Sequence, residues 1–387
     1  MSYNVCFLVF LSCLLLLGVT FATNMEQTTI VIDVTRQIGE IDENFVCATL
    51  DWWPPEKCNY DQCPWGYASL INLNLSSPLL AKAIQAFKTL RIRIGGSLQD
   101  QVIYDVGDLK TPCTQFKKSD DGLFGFSEGW NDPKLVSRIL DPKYLSGSVT
   151  GLFKNVERTV QENGPWASAW VGEAGGAFNS GGREVSETFI NSFWYLDQFG
   201  MSSMHNTKVY CRQALVGGFY GLLEKETALL WHRLMGKGVL GIQTNASEYL
   251  RTYVHCSKGR AGITILLINL SKQTTFTVGF SNGVKVVLQA ESTKRRSFLE
   301  TIKSKVSWVG KKASDGYLNR EEYHLSPKDG DLRSKIMMLN GNPLEPTVTG
   351  DIPKLEPVRY SVKSPVYINP STISFIVLPT FDAPACS

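Results

Sequence analysis

The sequence predicts an α/β region followed by an all-β region, and three observations carry that division. Between residues 45 and 94 an apolar run, a capped helix and a second apolar run follow one another, the order that gives parallel strand pairing. At residues 167–172 another apolar strand ends in Gly172-Glu173 and a loop of small residues. Beyond about residue 248, helical periodicity gives way to short β runs separated by Gly, Asn, Ser and Pro. With 387 residues, 43% of them hydrophobic and 19% charged, the chain is globular and long enough for two domains.

Residues 5–18 form an apolar run, and Thr20 and Ala22 supply small residues for cleavage. Segment 1–22 therefore reads as a signal peptide, although its first residues carry no Lys or Arg; an uncleaved anchor is the alternative. No later stretch reaches the roughly 18 apolar residues that a bilayer span requires, so no transmembrane span remains after cleavage. Residues 28–34 (TTIVIDV) are a strand, a candidate to join the all-β region, and residues 45–51 (FVCATLD) are a second. Ser77-Pro78 opens a helix with Leu80, Ile84 and Phe87 at helical spacing. Residues 90–94 (LRIRI) are a strand ending in Gly95-Gly96-Ser97.

Between Ser97 and Trp166 there are helical stretches at 134–140 and 151–160 and one weak strand at 101–106. A strand at 167–172, a helix at 186–200 stopped by Gly200, a strand at 208–216 and a helix at 228–235 follow. A closed (β/α)8 barrel takes about 250 residues, and this region has about that length but only about four convincing strands. Residues 23–247 thus read as an incomplete (β/α)8 TIM barrel, about four strands short. Residues 248–387, with β runs at 263–270, 274–280, 284–288, 336–339 and 373–378, read as a C-terminal antiparallel β-sandwich domain.

Glu173 is the residue around which chemistry can be built. A carboxylate at the end of a buried strand, with glycines clearing the space before it, is how a barrel enzyme presents a nucleophile to a sugar ring. A solvated Glu in a Gly-rich turn is the plain alternative. Asp51 ends the 45–51 strand and precedes Trp52-Trp53; it serves either as a cap beside core aromatics or as part of a site whose tryptophans stack on a sugar.

Export predicts disulfides and glycans. Seven cysteines follow the signal segment, an odd number that leaves one thiol over. Acceptor sequons stand at Asn74, Asn245 and Asn269. No Cys-x-x-Cys or paired-His spacing points to a metal, and the chain has four histidines. Gly236-Lys-Gly238-Val-Leu-Gly241 fits G-x-G-x-x-G but follows a helix instead of a strand, so it reads as a helix stop and turn. No Walker loop or G-x-S-x-G elbow occurs, and no cofactor is expected. The net charge of +3 is mild. The runs at 294–296 and 311–312 are a solvated face or a contact for an acidic polysaccharide, and nucleic acid is not an expected partner.

Several segments together resemble the plant heparanase-like proteins of glycoside hydrolase family seventy-nine. They are CATLDWWPPEKCNYDQCPWG (47–66), LRIRIGGSLQDQVIYD (90–105), AWVGEAGGAFNSGG (169–182), SFWYLDQFGM (192–201), YCRQALVGGFYGLL (210–223), EEYHLSPKDGDL (321–332) and LNGNPL (339–344). The resemblance covers nearly the whole mature chain, in order. It implies a (β/α)8 barrel plus β-sandwich and retaining hydrolysis of β-glucuronides in polysaccharides or glycoconjugates. It implies Glu173 as nucleophile, and Asp51, Ser97, Asn179, Ser180, Gly218 and Tyr220 as residues lining the sugar pocket. It also implies a Cys256–Cys386 disulfide. The cell exterior or wall is the implied destination; a lysosomal or vacuolar, peripherally membrane-associated protein is the alternative.

The departure from the family is equally specific. Such enzymes carry their acid/base as the Glu of an Asn-Glu pair on the fourth barrel strand, and this sequence has no Asn-Glu pair. The family pattern runs to 126–129 and resumes near 131–133, with strands three to six absent between, and a shorter loss follows Leu223. Glu128 or Glu162 could substitute as the acid, but neither sits at a recognisable strand end. The expectation is an impaired hydrolase, or a non-catalytic remnant that binds carbohydrate or a partner.

Overall fold

The computed structural model describes residues 24–54, 56, 69–99, 134–177, 181–224, 227–282 and 319–387. The signal segment, the expected strands at 101–106 and 284–288, and Cys58, Cys63, Cys113, Glu128, Asn179 and Ser180 lie outside these residues.

Two sheets organise the chain. Strand β1 (Asn24–Glu40) is followed by β2 (Val46–Asp51), β3 (Arg91–Gly95), β4 (Trp170–Ala174) and β5 (Val209–Gln213). The last four form one sheet in the order β3-β2-β5-β4, every pairing parallel. Its helices are α1 (Pro78–Gln85), α2 (Leu135–Ile139), α3 (Pro142–Asn163), α4 (Ile190–Met204) and α5 (Thr227–Leu234). The Ser77 side chain caps α1 by accepting from the Leu80 N–H, with Pro78 in the first turn.

Two helices differ from the sequence expectation. Helix α3 starts at Pro142 instead of 151, because Asp141 caps it through the Lys143 N–H and Pro142 suits the first turn. Helix α4 does not stop at Gly200. That glycine is a notch in mid-helix: a Cβ there would lie 2.3 Å from the Tyr253 ring.

The second sheet holds β1, β6 (Met235–Thr244), β7 (Leu250–Ser257), β8 (Ile263–Asn269), β9 (Thr274–Asn282), β10 (Asn319–Pro327), β11 (Met337–Leu339), β12 (Asn342–Pro343), β13 (Val358–Ser361), β14 (Val366–Ile368) and β15 (Ile373–Leu378). Its order is β12-β11-β10-β15-β8-β7-β6-β1-β9-β14, with β13 beside β10. All pairings are antiparallel except β1 with β9. The sheet takes in residues on both sides of the 247/248 division, since β6 pairs with both β1 and β7. Nor do the glycines at 236–241 stop and turn the chain. They lie within β6, where a Cβ on Gly236 would meet the Cys256 carbonyl at 2.5 Å.

Strand β8 (ITILLIN) is buried at every position. Ile263, Ile265 and Leu267 enter a core with Ile30, Ile32, Phe276 and Ile376. Leu266 and Ile268 enter the opposite core, with Phe199, Trp231 and Phe375. Strand β15 alternates in the same way, so the large sheet is covered on both faces, one of them by the helices of the α/β unit.

A buried carboxylate fixes that contact. Asp197 of α4 is fully buried and accepts from Arg251 Nε at 2.7 Å and the Tyr253 hydroxyl at 2.5 Å. Arg251 also reaches Ser146 of α3 at 2.9 Å. Disulfides join Cys47 to Cys211, opposite each other on β2 and β5, and Cys256 of β7 to Cys386 at the C-terminus. Asn74 and Asn245 are exposed. The sequon expectation at Asn269 needs correcting: its side chain is fully buried and Nδ2 donates to the carbonyls of Thr274, Ile368 and Asn369, which leaves no room for a glycan.

Two buried histidines tie stability to pH. His232 bonds the Phe87 carbonyl at 2.7 Å; His255 bonds the Gly236 carbonyl at 2.8 Å and Ser203 Oγ at 3.1 Å. Burial lowers both pKa values to about 4 from 6.5. The native state therefore stays neutral where the unfolded chain takes up protons. The stability is complete above pH 6.5 and is lost as pH falls toward 4. By pH 5 each histidine should cost about 2 kcal/mol, seen as a lower urea midpoint than at pH 7. A midpoint unchanged between those two pH values would contradict the burial of both rings.

Candidate active site

Parallel strands present their C-terminal ends together, and here those ends carry polar side chains. Glu173 lies on β4, Asp51 ends β2, Arg93 lies on β3 and Gln213 ends β5. Arg93 Nη1 donates to Glu173 Oε2 at 3.3 Å, a contact between the two outer strands of the sheet. Thr49 Oγ1 of β2 donates to the Gly172 carbonyl of β4 at 3.1 Å, and the Arg91 guanidinium sits 4.7 Å above the Trp170 ring. The sheet is curled, and β3 and β4 face each other across its concave side.

Asp51 is buried and accepts from Gln213 Nε2 at 2.6 Å. Burial raises its pKa, against hydrogen bonds from Gln213 and Trp53 and the charge of Arg93. The Glu173 pKa is raised too, first by burial and then by the Asp51 charge, with Arg93 opposing. One guanidinium thus partly offsets the rise in pKa that burial imposes on two carboxyl groups. Glu173 remains reachable, with its side chain 50% exposed. An accessible carboxylate at this place can act as a nucleophile.

Glycines give the site its space. A Cβ on Gly95 would lie 2.4 Å from Asp51 Oδ1, and one on Gly96, at φ +81, 2.5 Å from the Trp52 backbone. The Tyr220 ring fills the opposite wall, so close that a Cβ on Gly175 or Gly181 would stand 2.7 or 2.8 Å from it. Its carbonyl accepts from Arg212 Nε at 2.8 Å, and Gly217 and Gly218 turn the chain before it at φ +95 and +64.

The structure thus gathers Glu173, Asp51 and Tyr220 and sets Ser97 just beyond β3 and Gly218 in the turn after β5. Glu162 lies in the last turn of α3, exposed. Sequence reasoning missed Arg93, Gln213 and Arg212. The signal was there: arginines at alternate positions of an apolar strand (LRIRI), and Arg-Gln closing another.

The N-terminal-domain model of glycosyl hydrolase family 79 matches residues 27–131 and 130–200, in two stretches that meet at 130–131. Heparanase-like proteins 2 and 1 of Arabidopsis thaliana are 61% and 49% identical, each alignment covering 100% of both chains. The first of these alignments runs over 542 positions, against 387 residues here. Baicalin-beta-D-glucuronidase of Scutellaria baicalensis is 27% identical over 92% of this chain and 93% of that one. The chain belongs to glycosyl hydrolase family 79, as a heparanase-like member.

Gly181→Ala tests the wall. At φ +88 and against both Tyr220 and Ser186, the methyl should cost about 1–3 kcal/mol, seen as a reduced urea midpoint. An unchanged midpoint would show that Tyr220 does not pack there.

Proposed function

We propose that this chain is a secreted, heparanase-like protein that keeps the nucleophile half of a retaining β-glucuronidase site and lacks the acid/base half. The carrying observation is Glu173 at a parallel strand's end, paired with Arg93 beside Asp51, in a sequence without an Asn-Glu pair. Retaining hydrolysis needs two carboxyl groups about 5–5.5 Å apart, one attacking the anomeric carbon and one protonating the leaving oxygen. Asp51 is buried at the end of β2 and accepts from Gln213, and it is not the Glu of an Asn-Glu pair that the family uses as its acid/base.

Two observations support an internal loss. The family match divides at 130–131, and the alignment with the Arabidopsis protein has far more positions than this chain has residues. Among the described residues the parallel sheet has four strands, half of what an eight-stranded barrel requires. The proposed ligand is a glucuronic-acid-containing polysaccharide or glycoconjugate, bound by the Glu173 loop, Asn179 and Ser180 with it, and by Ser97, Gly218 and Tyr220. Loss of general acid assistance is worth about 10²–10⁴-fold in rate.

Purified protein of verified intact mass should therefore release no aryl alcohol from an aryl β-glucuronide beyond what its Glu173→Gln variant releases. Robust hydrolysis would overturn the reading. In a full-length relative the matching Glu→Gln change should abolish turnover, and ordinary activity there would remove Glu173 as nucleophile.

A further inference from the structure

A cavity of about 770 Å³ in the large-sheet region is lined by residues of β1 and β9, by Asn245 just past β6, and by the 362–366 turn into β14. That volume lies within the roughly 300–1,000 Å³ of sites that enclose a drug-sized ligand. Its walls offer the two kinds of surface that a pyranose ring needs. Thr28, Thr277 and Ser364 supply hydroxyls, and Val278, Phe280 and Val366 supply apolar ground for C–H faces. Thr277 Oγ1 is buried and has no hydrogen-bond partner among the described residues. A buried hydroxyl in that state calls for a partner. The turn is held in place by buried Arg320, which donates to the carbonyls of Ser361 at 2.7 Å, Ser364 at 2.6 Å and Pro365 at 2.8 Å.

Asn245 stands on the rim with its amide already oriented. Its Oδ1 accepts from Thr28 Oγ1 at 2.9 Å and from the Thr29 N–H at 3.1 Å. Thr28 is itself buried, with Thr244 Oγ1 at 3.2 Å. Two donors thus fix the oxygen end of the amide, and Nδ2 makes no hydrogen bond among the described residues. Asn245-Ala246-Ser247 is an acceptor sequon.

We propose that the N-linked glycan of Asn245 lies in this cavity, its first two N-acetylglucosamines packed against β1 and β9 instead of projecting into solvent. The proposal rests on the reading that the chain is exported. In the transfer, Nδ2 forms a bond to C1 of the first sugar, the bond from C1 to the diphosphate of a polyprenyl-linked donor breaks, and Nδ2 gives up one proton. A group tethered at the rim by one bond acts at an effective concentration of roughly millimolar, so it fills the cavity ahead of any free sugar. Asn74 is the contrast. Its Oδ1 takes the Ser76 N–H at 3.0 Å and Leu75 beside it is 78% exposed, so a glycan there leaves from a local surface turn.

The test is glycan release from secreted protein carrying high-mannose chains, treated with endoglycosidase H and followed by glycopeptide mass. This enzyme cuts between the first two sugars. In the native protein, release at Asn245 should wait for local opening and run at least about tenfold slower than at Asn74; after denaturation the two rates should be equal. Thr28→Val removes one anchor of the amide at little change in volume and should raise the native rate at Asn245 toward that at Asn74. Ser247→Ala removes the sequon and leaves the Asn245 side chain in place; it should lower the urea midpoint, whereas Ser76→Ala should not. These two losses of glycan carry the test if Thr28→Val fails to fold. Equal native rates, a midpoint indifferent to Ser247→Ala, or a bare Asn245 in chains glycosylated at Asn74 overturns the inference and leaves export standing. Chains bare at both sites overturn the export reading, and the inference with it.

Discussion

The Arg93–Glu173 contact is the constraint on which the site depends. Burial and the Asp51 charge raise the Glu173 pKa, and the Arg93 guanidinium, charged at any pH at which the protein folds, opposes that rise. The same contact spans the concave face of the parallel sheet and ties its two outermost strands together. Chemistry and curvature therefore share one ion pair. With about half of the Glu173 side chain and a third of the Arg93 side chain exposed, water screens the pair, and its net contribution to stability is small. Its geometric effect is larger than its energy.

Much of this arrangement was legible in the sequence because it is local. Ser77-Pro78 announces a helix start, and the 45–51 and 90–94 strands are short apolar runs bounded by turn residues; both pair in parallel as that order implies. What escaped was decided by distant contacts. Gly200 has the appearance of a helix stop, but the Tyr253 ring of another element occupies the space a side chain would need. The glycines at 236–241 resemble a turn, but they allow β6 to lie close against β7 and the side chain of Gln37. Arg93 and Gln213 were passed over because single polar residues in apolar strands acquire meaning only when curvature brings them together.

Burial on two sides separates Asn269 from the other sequons in the same way. A three-residue acceptor motif carries no information about which face of a strand is covered. Strand β8 is covered on both, and the Asn269 amide is consumed in holding the 369 turn against the sheet. Asp197, equally buried, does for the packing of α4 on the large sheet what Asn269 does for one loop, with Arg251 and Tyr253 as its donors.

Glu40 of β1 and Gly238 of β6 are register partners in the large sheet. The whole α/β unit thus leaves from one strand and returns to its immediate neighbour. Topologically it is a parenthesis: the sheet requires only that the chain come back to the same place, and the cost of closing such a detour grows merely with the logarithm of its length. Residues can be excised from inside the detour without disturbing a single pairing outside it. Loss of an internal stretch there would therefore alter the α/β unit and spare the large sheet.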